Sequence, residues 1–377
     1  HGMTVIRRTI WSQFDLPFLL VTLALVVIGC VMIYSSYEAS LSSSGGSLWQ
    51  NTVFRQAVFA LLGLALYWAA AAVDYHTLIA WDRWLYIFVV AVLGVMLAVG
   101  QVSFGAQSWL TLSGSAQPSE LCKVLMIVVL ARALGADPDR LERMGPFLLS
   151  ALLVLPPAIL VYFQPDFGAA LVLVATWVGM CFLAGVRWRH IIVLAGAGLV
   201  GLPLLWFRMA DYMRQRILTF FFPEADPSGA SYNITQALIS IGSGGWWGKG
   251  LLRGTQSQLH FLRVRHTDFI FSVLAEELGF VGSVLFIGLF AFLILRLLRI
   301  AAQARDPYGR LIAGGVATMI TVQTVVNLGM NANLLPVTGL TLPLVSYGGS
   351  SLMTTLMALG MAQSVTMRHA TPELSLK

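Results

Sequence analysis

The chain has 377 residues and a net charge of +6 at pH 7, and 58% of its residues are hydrophobic while only 11% are charged. Soluble proteins carry about 25% charged residues, so this composition excludes a cytosolic enzyme, a nucleic-acid-binding domain and a disordered chain. We therefore expect a polytopic membrane protein.

Ten apolar segments are long enough to cross a bilayer, which requires about 17–25 residues in a helix. We expect one all-α membrane domain, residues 3–370, built from ten transmembrane helices. The fourth predicted helix is unusual because it carries Glu120 and Lys123. The predicted spans are residues 16–34, 57–73, 84–104, 118–134, 146–163, 167–186, 191–207, 278–295 (extending back toward Asp268), 311–330 and 352–367.

The distribution of basic residues predicts the orientation, because short cytoplasmic loops are enriched in Lys and Arg. With a cytoplasmic N-terminus, nearly all basic residues of the short loops are cytoplasmic, and the short outer loops hold only Arg55. Both termini are then cytoplasmic, and residues 371–377 form a tail. We expect residues 1–2, which precede Met3, to be a remnant of cloning.

A long loop outside the cytoplasm, at about residues 208–267, joins the seventh and eighth predicted helices. It contains glycine-rich stretches and many polar residues, and no secondary structure is evident in it. A loop of this length is usually functional. It is therefore a candidate location for a site.

Charged residues at membrane depth are rare, and each suggests a function. Glu120 and Lys123 lie three residues apart on the fourth helix, so they share one face and can form an ion pair. From the sequence, a structural role and a substrate-binding role for this pair are equal alternatives. Because this helix begins at the outer surface, the positive end of its dipole favours an anionic group there.

Asp268 stands where the long loop enters the eighth helix, among several basic residues. A carboxylate in such surroundings is normally ionised and can accept a proton. The simpler alternative is a helix cap, which spacing alone favours. Glu276 and Glu277 follow within the span, where carboxylates must face a cavity or a partner group. The basic residues around Asp268 are Lys249, Arg253, Arg263, Arg265 and His266.

Two glycine-containing segments, residues 336–339 and 346–351, precede the last helix. Glycine permits close approach of the backbone, and a helix N-terminus can hold a phosphate, although tight packing is the commoner explanation. No nucleotide-binding or metalloprotease motif is present. Composition and spacing thus predict an outward-facing, polar and cationic cavity that suits an anionic ligand.

Several motifs occur in this order along the chain, namely Arg55-Gln56, Trp109-Leu110, Gln117-Pro118-Ser119-Glu120 with Lys123, Gln164-Pro165-Asp166-Phe167-Gly168, Gly248-Lys249-Gly250, Gly254-Thr255-Gln256-Ser257-Gln258 and His266-Thr267-Asp268-Phe269. Taken together, these motifs resemble the shape, elongation, division and sporulation family, the RodA/FtsW membrane proteins, over nearly the whole chain. Their sequences are closer to the RodA (elongation) branch than to the FtsW (division) branch. The chain departs from the family pattern at Arg263-Val264, Asn333 and Thr341, where the family usually has Pro-Glu, Gly and Pro.

The resemblance implies a peptidoglycan glycosyltransferase of the bacterial cytoplasmic membrane. Such an enzyme polymerises lipid II outside the cytoplasm during cell elongation and releases undecaprenyl diphosphate. The resemblance also implies a class B penicillin-binding protein as partner, and the other expected ligands are membrane lipids rather than nucleic acid. A lipid II flippase, an FtsW-type polymerase and a scaffold for cell-wall enzymes are the alternatives.

On this basis we expect Asp268 to be the catalytic general base. The leaving diphosphate requires cations, supplied by the protein and by a divalent metal such as Mg or Mn if one is bound. The predicted substrate- and diphosphate-binding residues are Arg55, Trp109, Ser119, Glu120, Lys123, Arg214, Arg216, Lys249, Arg253, His266, Thr267 and Ser350.

Overall fold

The computed structural model describes residues 13–41, 51–99, 101–103, 106–109, 117–136, 144–209, 211–222, 230–258 and 267–368. The described residues form helices throughout, apart from one short hairpin of two strands. The helices are α1 (Leu16–Leu41), α2 (Thr52–Ala72), α3 (Tyr75–Ala80), α4 (Asp82–Val99), α5 (Pro118–Gly135), α6 (Met144–Phe163), α7 (Phe167–Leu183), α8 (Trp188–Arg208), α9 (Asp211–Phe221), α10 (Ala230–Ser243), α11 (Thr255–Gln258), α12 (Ile270–Gln303), α13 (Pro307–Asn331) and α14 (Gly349–Arg368); the strands are β1 (Gln101–Ser103) and β2 (Ala106–Trp109).

Each predicted span overlaps one helix, in order α1, α2, α4, α5, α6, α7, α8, α12, α13 and α14. Within the described residues, five helices are long and apolar enough to cross a membrane by length and composition alone, and these are α1, α2, α6, α12 and α13. Helix α7 is apolar but shorter. The described part of the chain is therefore a helical bundle with several apolar spans.

Helix α13 lies at the centre of the bundle. In α13, 72% of the most apolar window is buried, whereas the corresponding share is 28% in α2, α6 and α12. Helix α13 packs against α5, α7 and α12, and α2 packs along α14. The exposed apolar faces of α2, α6 and α12 are those expected of helices that contact lipid.

Two regions differ from the sequence prediction. The third predicted span, residues 84–104, ends as helix α4 at Val99, and residues 101–103 and 106–109 form the antiparallel pair β1–β2. Polar residues such as Gln101 and Ser103 interrupt the apolar run there, and strand pairing satisfies backbone groups that a helix would otherwise pair. The third predicted span is therefore too long at its C-terminal end.

The long loop also contains secondary structure, namely helices α9, α10 and α11. The sequence prediction missed them because they are amphipathic and too polar to resemble spans. In α10, Ser231, Ile234, Ala237 and Ser240 are buried at helical spacing. Ala237 packs with Phe269 and Val273 at the start of α12, so α10 supports the segment that carries Asp268.

Helix α12 is broken at Gly279, whose φ of 69° and ψ of −165° are not helical. The loop after α10 runs along this break and pairs with it in both directions. Two loop amides, Lys249 N and Gly250 N, donate at 3.0 Å to the carbonyls of Glu276 and Glu277, and Phe280 N donates at 2.8 Å to the carbonyl of Gly245. The loop thereby satisfies the backbone groups that the break would leave unpaired.

Side chains reinforce this junction. The carboxylate of Glu276, which is fully buried, accepts hydrogen bonds from Lys249 Nζ at 2.7 Å, Thr255 Oγ1 at 3.0 Å and Gln256 N at 3.1 Å. The neighbouring carboxylate of Glu277 accepts a hydrogen bond from Ser35 on α1. Both intramembrane carboxylates thus face partner groups of the protein, which is one of the two alternatives expected from the sequence.

Gly248→Ala is expected to destabilise this junction. A Cβ at Gly248 would lie 2.1 Å from Glu277 O, and its φ of 76° is left-handed. The left-handed backbone alone costs an alanine about 1–2 kcal/mol, and the contact with a backbone oxygen adds to this. Thermal unfolding of the purified protein should show a melting temperature several degrees lower, whereas Gly242→Ala, which meets nothing within 4 Å, should not change it. Equal melting temperatures for the two variants would contradict the described junction.

Candidate active site

Asp268 lies two residues before α12, and its backbone is fixed by two amides from the central helix α13. Its carbonyl accepts hydrogen bonds from Asn331 Nδ2 at 2.9 Å and Asn327 Nδ2 at 3.2 Å. Asn327 Nδ2 also donates to Leu340 O at 2.8 Å. Buried amides that are fully hydrogen-bonded define the position of a segment well. Asn327 and Asn331 therefore act as positioning residues.

The residues next to Asp268 are held by further side chains. Ser346 Oγ donates to Thr267 O at 2.6 Å and accepts from Leu342 N at 2.9 Å. On the other side, Ser272 Oγ donates to Asn331 Oδ1 at 2.6 Å. The turn that carries Asp268 is thus attached both to α13 and to the segment before α14.

The Asp268 carboxyl group is partly exposed and lies beside Arg216 and Gly339. A Cβ at Gly339 would lie 3.9 Å from Asp268 Oδ2 and 3.7 Å from Arg216 Nη1. Burial raises the pKa of Asp268 to about 6, against the opposing effects of a hydrogen bond from Thr267 and the charge of Arg216. A carboxyl group of this kind can exchange a proton near neutral pH.

A narrow cavity of about 20 Å³ lies beside Arg216, between α9 and residues 336–338. This volume is enough for a water molecule and too small for a sugar. A disaccharide can occupy this space only if α9 and residues 336–338 separate. The other residues that line the cavity are Phe167, Met209, Met213 and Ile217.

A second polar cluster lies at the starts of α5 and α7. Glu120 and Lys123, which are only 7% and 3% exposed, form an ion pair with a distance of 2.8 Å between Glu120 Oε1 and Lys123 Nζ. Asp166 Oδ2 accepts hydrogen bonds from Gln117 Nε2 at 2.6 Å and Ser119 Oγ at 3.3 Å. The predicted residues Ser119, Glu120 and Lys123 are therefore brought together, and Asp166 joins them.

This second cluster adjoins the turn at Gly339. A Cβ at Gly168, in the first turn of α7, would lie 2.7 Å from Leu340 Cγ and 3.1 Å from Thr338 O. Arg216 and Asp268 lie beside Gly339 in the same turn, residues 338–340. One glycine-containing turn thus lies between the Asp268 group and the cluster that contains Glu120. Glycine permits this close approach of the backbone.

Several predicted ligands of the diphosphate are engaged in other contacts. Lys249 pairs with Glu276. Arg214 donates to Trp206 O at 2.9 Å and Phe207 O at 2.8 Å, at the end of α8. Their predicted role in binding diphosphate is untested and stays a prediction.

The remaining predicted residues are dispersed along the chain. Arg55 lies near Tyr347. Burial raises the pKa of Tyr347, and the positive charge of Arg55 opposes this rise. Ser350 lies in the first turn of α14, Trp109 ends β2, and Arg253 is exposed. His266 lies outside the described residues, as do Arg263, Val264 and Arg265.

Asn333 and Thr341, the other departures from the family pattern, are accommodated locally. Asn333 has a φ of 54°, a left-handed conformation that glycine adopts freely and asparagine tolerates better than most residues. Thr341 Oγ1 lies 3.0 Å from Ser351 Oγ and can share a hydrogen bond with it. Neither departure disturbs the surroundings of Asp268.

In the described part of the chain, no group of three His, Cys, Asp or Glu side chains is arranged to hold a metal ion. The divalent cation considered from the sequence therefore stays a prediction. The groups that the chain itself supplies are a carboxylate with a raised pKa, a neighbouring guanidinium group and a buried ion pair.

Comparisons with known proteins agree on one family. The sequence model of the FtsW, RodA and SpoVE family, described as cell cycle proteins, matches residues 16–371. The peptidoglycan glycosyltransferase MrdB of Escherichia coli (strain K12) is 39% identical over 365 residues, which is 95% of this chain and 95% of MrdB.

Two solved structures are similar along nearly their whole length. A chain from a study of how a peptidoglycan synthase complex coordinates polymerization and crosslinking has a TM-score of 0.80 and 34% identity, covering 95% of this chain and 99% of that one. The rod shape determining protein RodA of Thermus thermophilus has a TM-score of 0.70 and 33% identity, covering 96% and 99%. The predicted fold class, a helical multi-pass membrane protein, is confirmed by this likeness.

Proposed function

The chain belongs to the FtsW, RodA and SpoVE family and is a peptidoglycan glycosyltransferase, and we propose that Asp268 is its general base. The observation that carries this proposal is the partly exposed carboxyl group of Asp268, whose pKa of about 6 suits proton transfer near neutral pH. The amides of Asn327 and Asn331 hold its backbone in place.

The proposed substrate is lipid II. Asp268 removes the proton from the 4-hydroxyl group of the acceptor sugar as the oxygen attacks the anomeric carbon of the donor. The bond between that carbon and the diphosphate oxygen breaks, undecaprenyl diphosphate leaves, and Asp268 passes the proton to solvent. One carboxylate suffices because diphosphate is a good leaving group, whereas hydrolytic glycosidases use a pair of carboxyl groups.

Arg216 is the cation best placed to stabilise the leaving diphosphate, because it lies with Asp268 around Gly339. Fixed positive charge at the group where negative charge develops is often the largest contribution to catalysis. Arg216 also favours the ionised form of Asp268. The same side chain thus supports the base and the leaving group.

The rate of polymerisation is expected to depend on pH through Asp268. The base acts when deprotonated, and its pKa is about 6. The rate should therefore be maximal above about pH 7 and fall about tenfold per pH unit below the pKa. Initial rates of lipid II consumption between about pH 4.5 and 8 measure this profile. A rate that stays constant down to pH 5 would show that another group, or no titrating group, acts as the base.

The proposed reaction can be tested with purified protein and lipid II, analysed for a ladder of glycan strands. We expect a ladder that strengthens when a class B penicillin-binding protein is added, since the similar chain belongs to a complex that couples polymerization to crosslinking. Movement of fluorescent lipid II across liposomes without any glycan product would favour a transporter instead. The engagement of Glu276 and Glu277 by Lys249 and Ser35 argues against a polar path through the bilayer.

The proposed topology has ten spans in a single domain of residues 3–370, with both termini in the cytoplasm of a bacterial cell. It rests on the sequence of the short connections, whose basic residues nearly all fall on one side of the predicted topology. It places Asp268 on the outer face, where lipid II is polymerised. The RodA-like sequences of the loop motifs and the likeness to RodA support a role in cell elongation rather than division.

A further inference from the structure

A polar cleft lies at the end of the bundle opposite Asp268, between the start of α1, the last turns of α12 and the end of α14. Its volume is about 300 Å³. Asp268 precedes α12, whereas this cleft lies at the other end of the same helix. The cleft is therefore separate from the proposed active site. Its polar lining comes from Gln13, Asp15, Arg296, Arg299, Gln303 and Thr366.

The charges of the cleft leave one positive charge in excess. Arg296 Nη2 donates to both carboxylate oxygens of Asp15, at 2.5 and 2.6 Å, so these two charges cancel. Arg299 is exposed, and no carboxylate of the described residues lies within 4.0 Å of it. The amides of Gln13 and Gln303 add hydrogen-bond donors. This arrangement suits one monovalent anion with several acceptor oxygens, as in a phosphodiester.

Apolar stripes lead from the cleft along the bundle. Leu295 and Phe292 lie four and seven residues before Arg299, on the same face of α12, and are 64% and 44% exposed. On α1, Leu16 and Leu20 are 55% and 56% exposed. An anion bound at Arg299 would therefore have exposed leucines beside it on two helices. A free phosphate needs no such surface, whereas the acyl chains of a lipid do.

The chain segment that precedes the cleft is a poor occupant for it. Residues 1–12 contain Arg7 and Arg8 and no acidic residue. A basic segment would add positive charge to a cleft that already has an excess of it. Charge complementarity thus disfavours residues 1–12 as the occupant of the cleft.

We propose that this cleft binds the phosphodiester headgroup of an anionic glycerophospholipid. Arg299 binds the phosphate, Gln13 and Gln303 contact the headgroup, and the acyl chains lie along the exposed leucines of α1 and α12. Basic pockets between transmembrane helices at the cytoplasmic surface are a known mode of headgroup binding. In the proposed topology, the bound lipid lies in the leaflet opposite the one in which lipid II is polymerised.

The test uses the full chain in nanodiscs of phosphatidylcholine to which phosphatidylglycerol is added in steps. Native mass spectrometry then counts the phosphatidylglycerol retained by the released protein. Arg299→Gln should weaken retention about tenfold, as expected for the loss of one charge-assisted hydrogen bond. Arg299→Lys should retain part of the affinity, because the charge remains but the planar donor pair is lost.

Arg189→Gln is the matched control, because Arg189 is an exposed arginine in the first turn of α8 and outside the cleft. It should retain phosphatidylglycerol as the unmodified protein does. Equal loss in the Arg189 and Arg299 variants, or no loss in either, would overturn the proposal. In a further arm, inorganic phosphate or glycerol 3-phosphate is added in solution. Displacement of phosphatidylglycerol by either at similar concentration would identify a soluble phosphate as the ligand and also overturn it.

Discussion

Asp268→Asn is expected to lower the initial rate of lipid II polymerisation by about 10²–10⁴-fold, the usual contribution of a general base. Asparagine has nearly the same size, and the backbone carbonyl that Asn327 and Asn331 hold is unchanged. The carboxamide cannot accept the proton of the sugar hydroxyl group in the relevant pH range. The measurement is the rate of glycan formation by purified variant and unmodified protein in the same membrane environment.

Asp211→Asn is a suitable control for this experiment. Asp211 begins α9, the helix that also carries Arg216. Its side chain is 93% exposed, and its contact with Arg214 is long, at 3.5 Å. This variant should polymerise at the normal rate. A normal rate in the Asp268 variant, or an equal loss in both variants, would remove Asp268 as the base. A similar melting temperature for all three proteins would exclude misfolding as the cause of a lost rate.

Lys123→Ala is expected to cause the largest loss of stability. Its ammonium group is buried against Glu120 at 2.8 Å, and it also lies close enough to Asp166 to stabilise that carboxylate. Removing one member of a buried ion pair typically costs about 3–5 kcal/mol, because the remaining charge is left without compensation. Thermal unfolding of the purified variant measures this loss.

A second variant separates the two roles considered for this pair. Lys123→Met combined with Glu120→Gln replaces both charges with neutral groups of similar size, and should regain most of the lost stability. If the pair binds substrate, polymerisation remains low in the stable double variant. If the pair is only structural, polymerisation recovers together with the melting temperature. A single Lys123→Ala variant with unchanged stability would contradict the buried geometry.

The helices were predictable because their signal is local. A continuous apolar run of membrane-spanning length has few alternatives in a chain with so little charge. The amphipathic helices α9 and α10 have no such signal. Helix α10 is buried against α12 and α13, and α9 packs against α10. The pairing of residues 101–103 with residues 106–109 depends on contacts between two strands, and the few polar residues there give little indication of it.

The candidate site was predictable in part. Asp268 and the pair formed by Glu120 and Lys123 were found because charges in apolar surroundings are conspicuous. Asn327 and Asn331 were missed, since they lie 59 and 63 residues from Asp268 in the chain. Two amides one helical turn apart in an apolar span were the available signal.

Lys249 shows why a motif alone does not determine a role. As a cation on the loop near Asp268 it was predicted to bind diphosphate, yet its ammonium group contacts the buried carboxylate of Glu276. The cause is the break at Gly279, which brings the loop backbone onto α12. A break of this kind depends on contacts between distant segments, so the sequence pattern did not reveal it.

The most direct test of Asp268 as the base compares the pH dependence of polymerisation in unmodified protein and in the Asp268→Asn variant. The initial rate of the unmodified protein should rise about tenfold per pH unit up to a pKa of about 6 and then level off. The variant should be slow, and its residual rate should not follow this rise. A variant that keeps the same rise with pH, at any absolute rate, would mean that another group removes the proton.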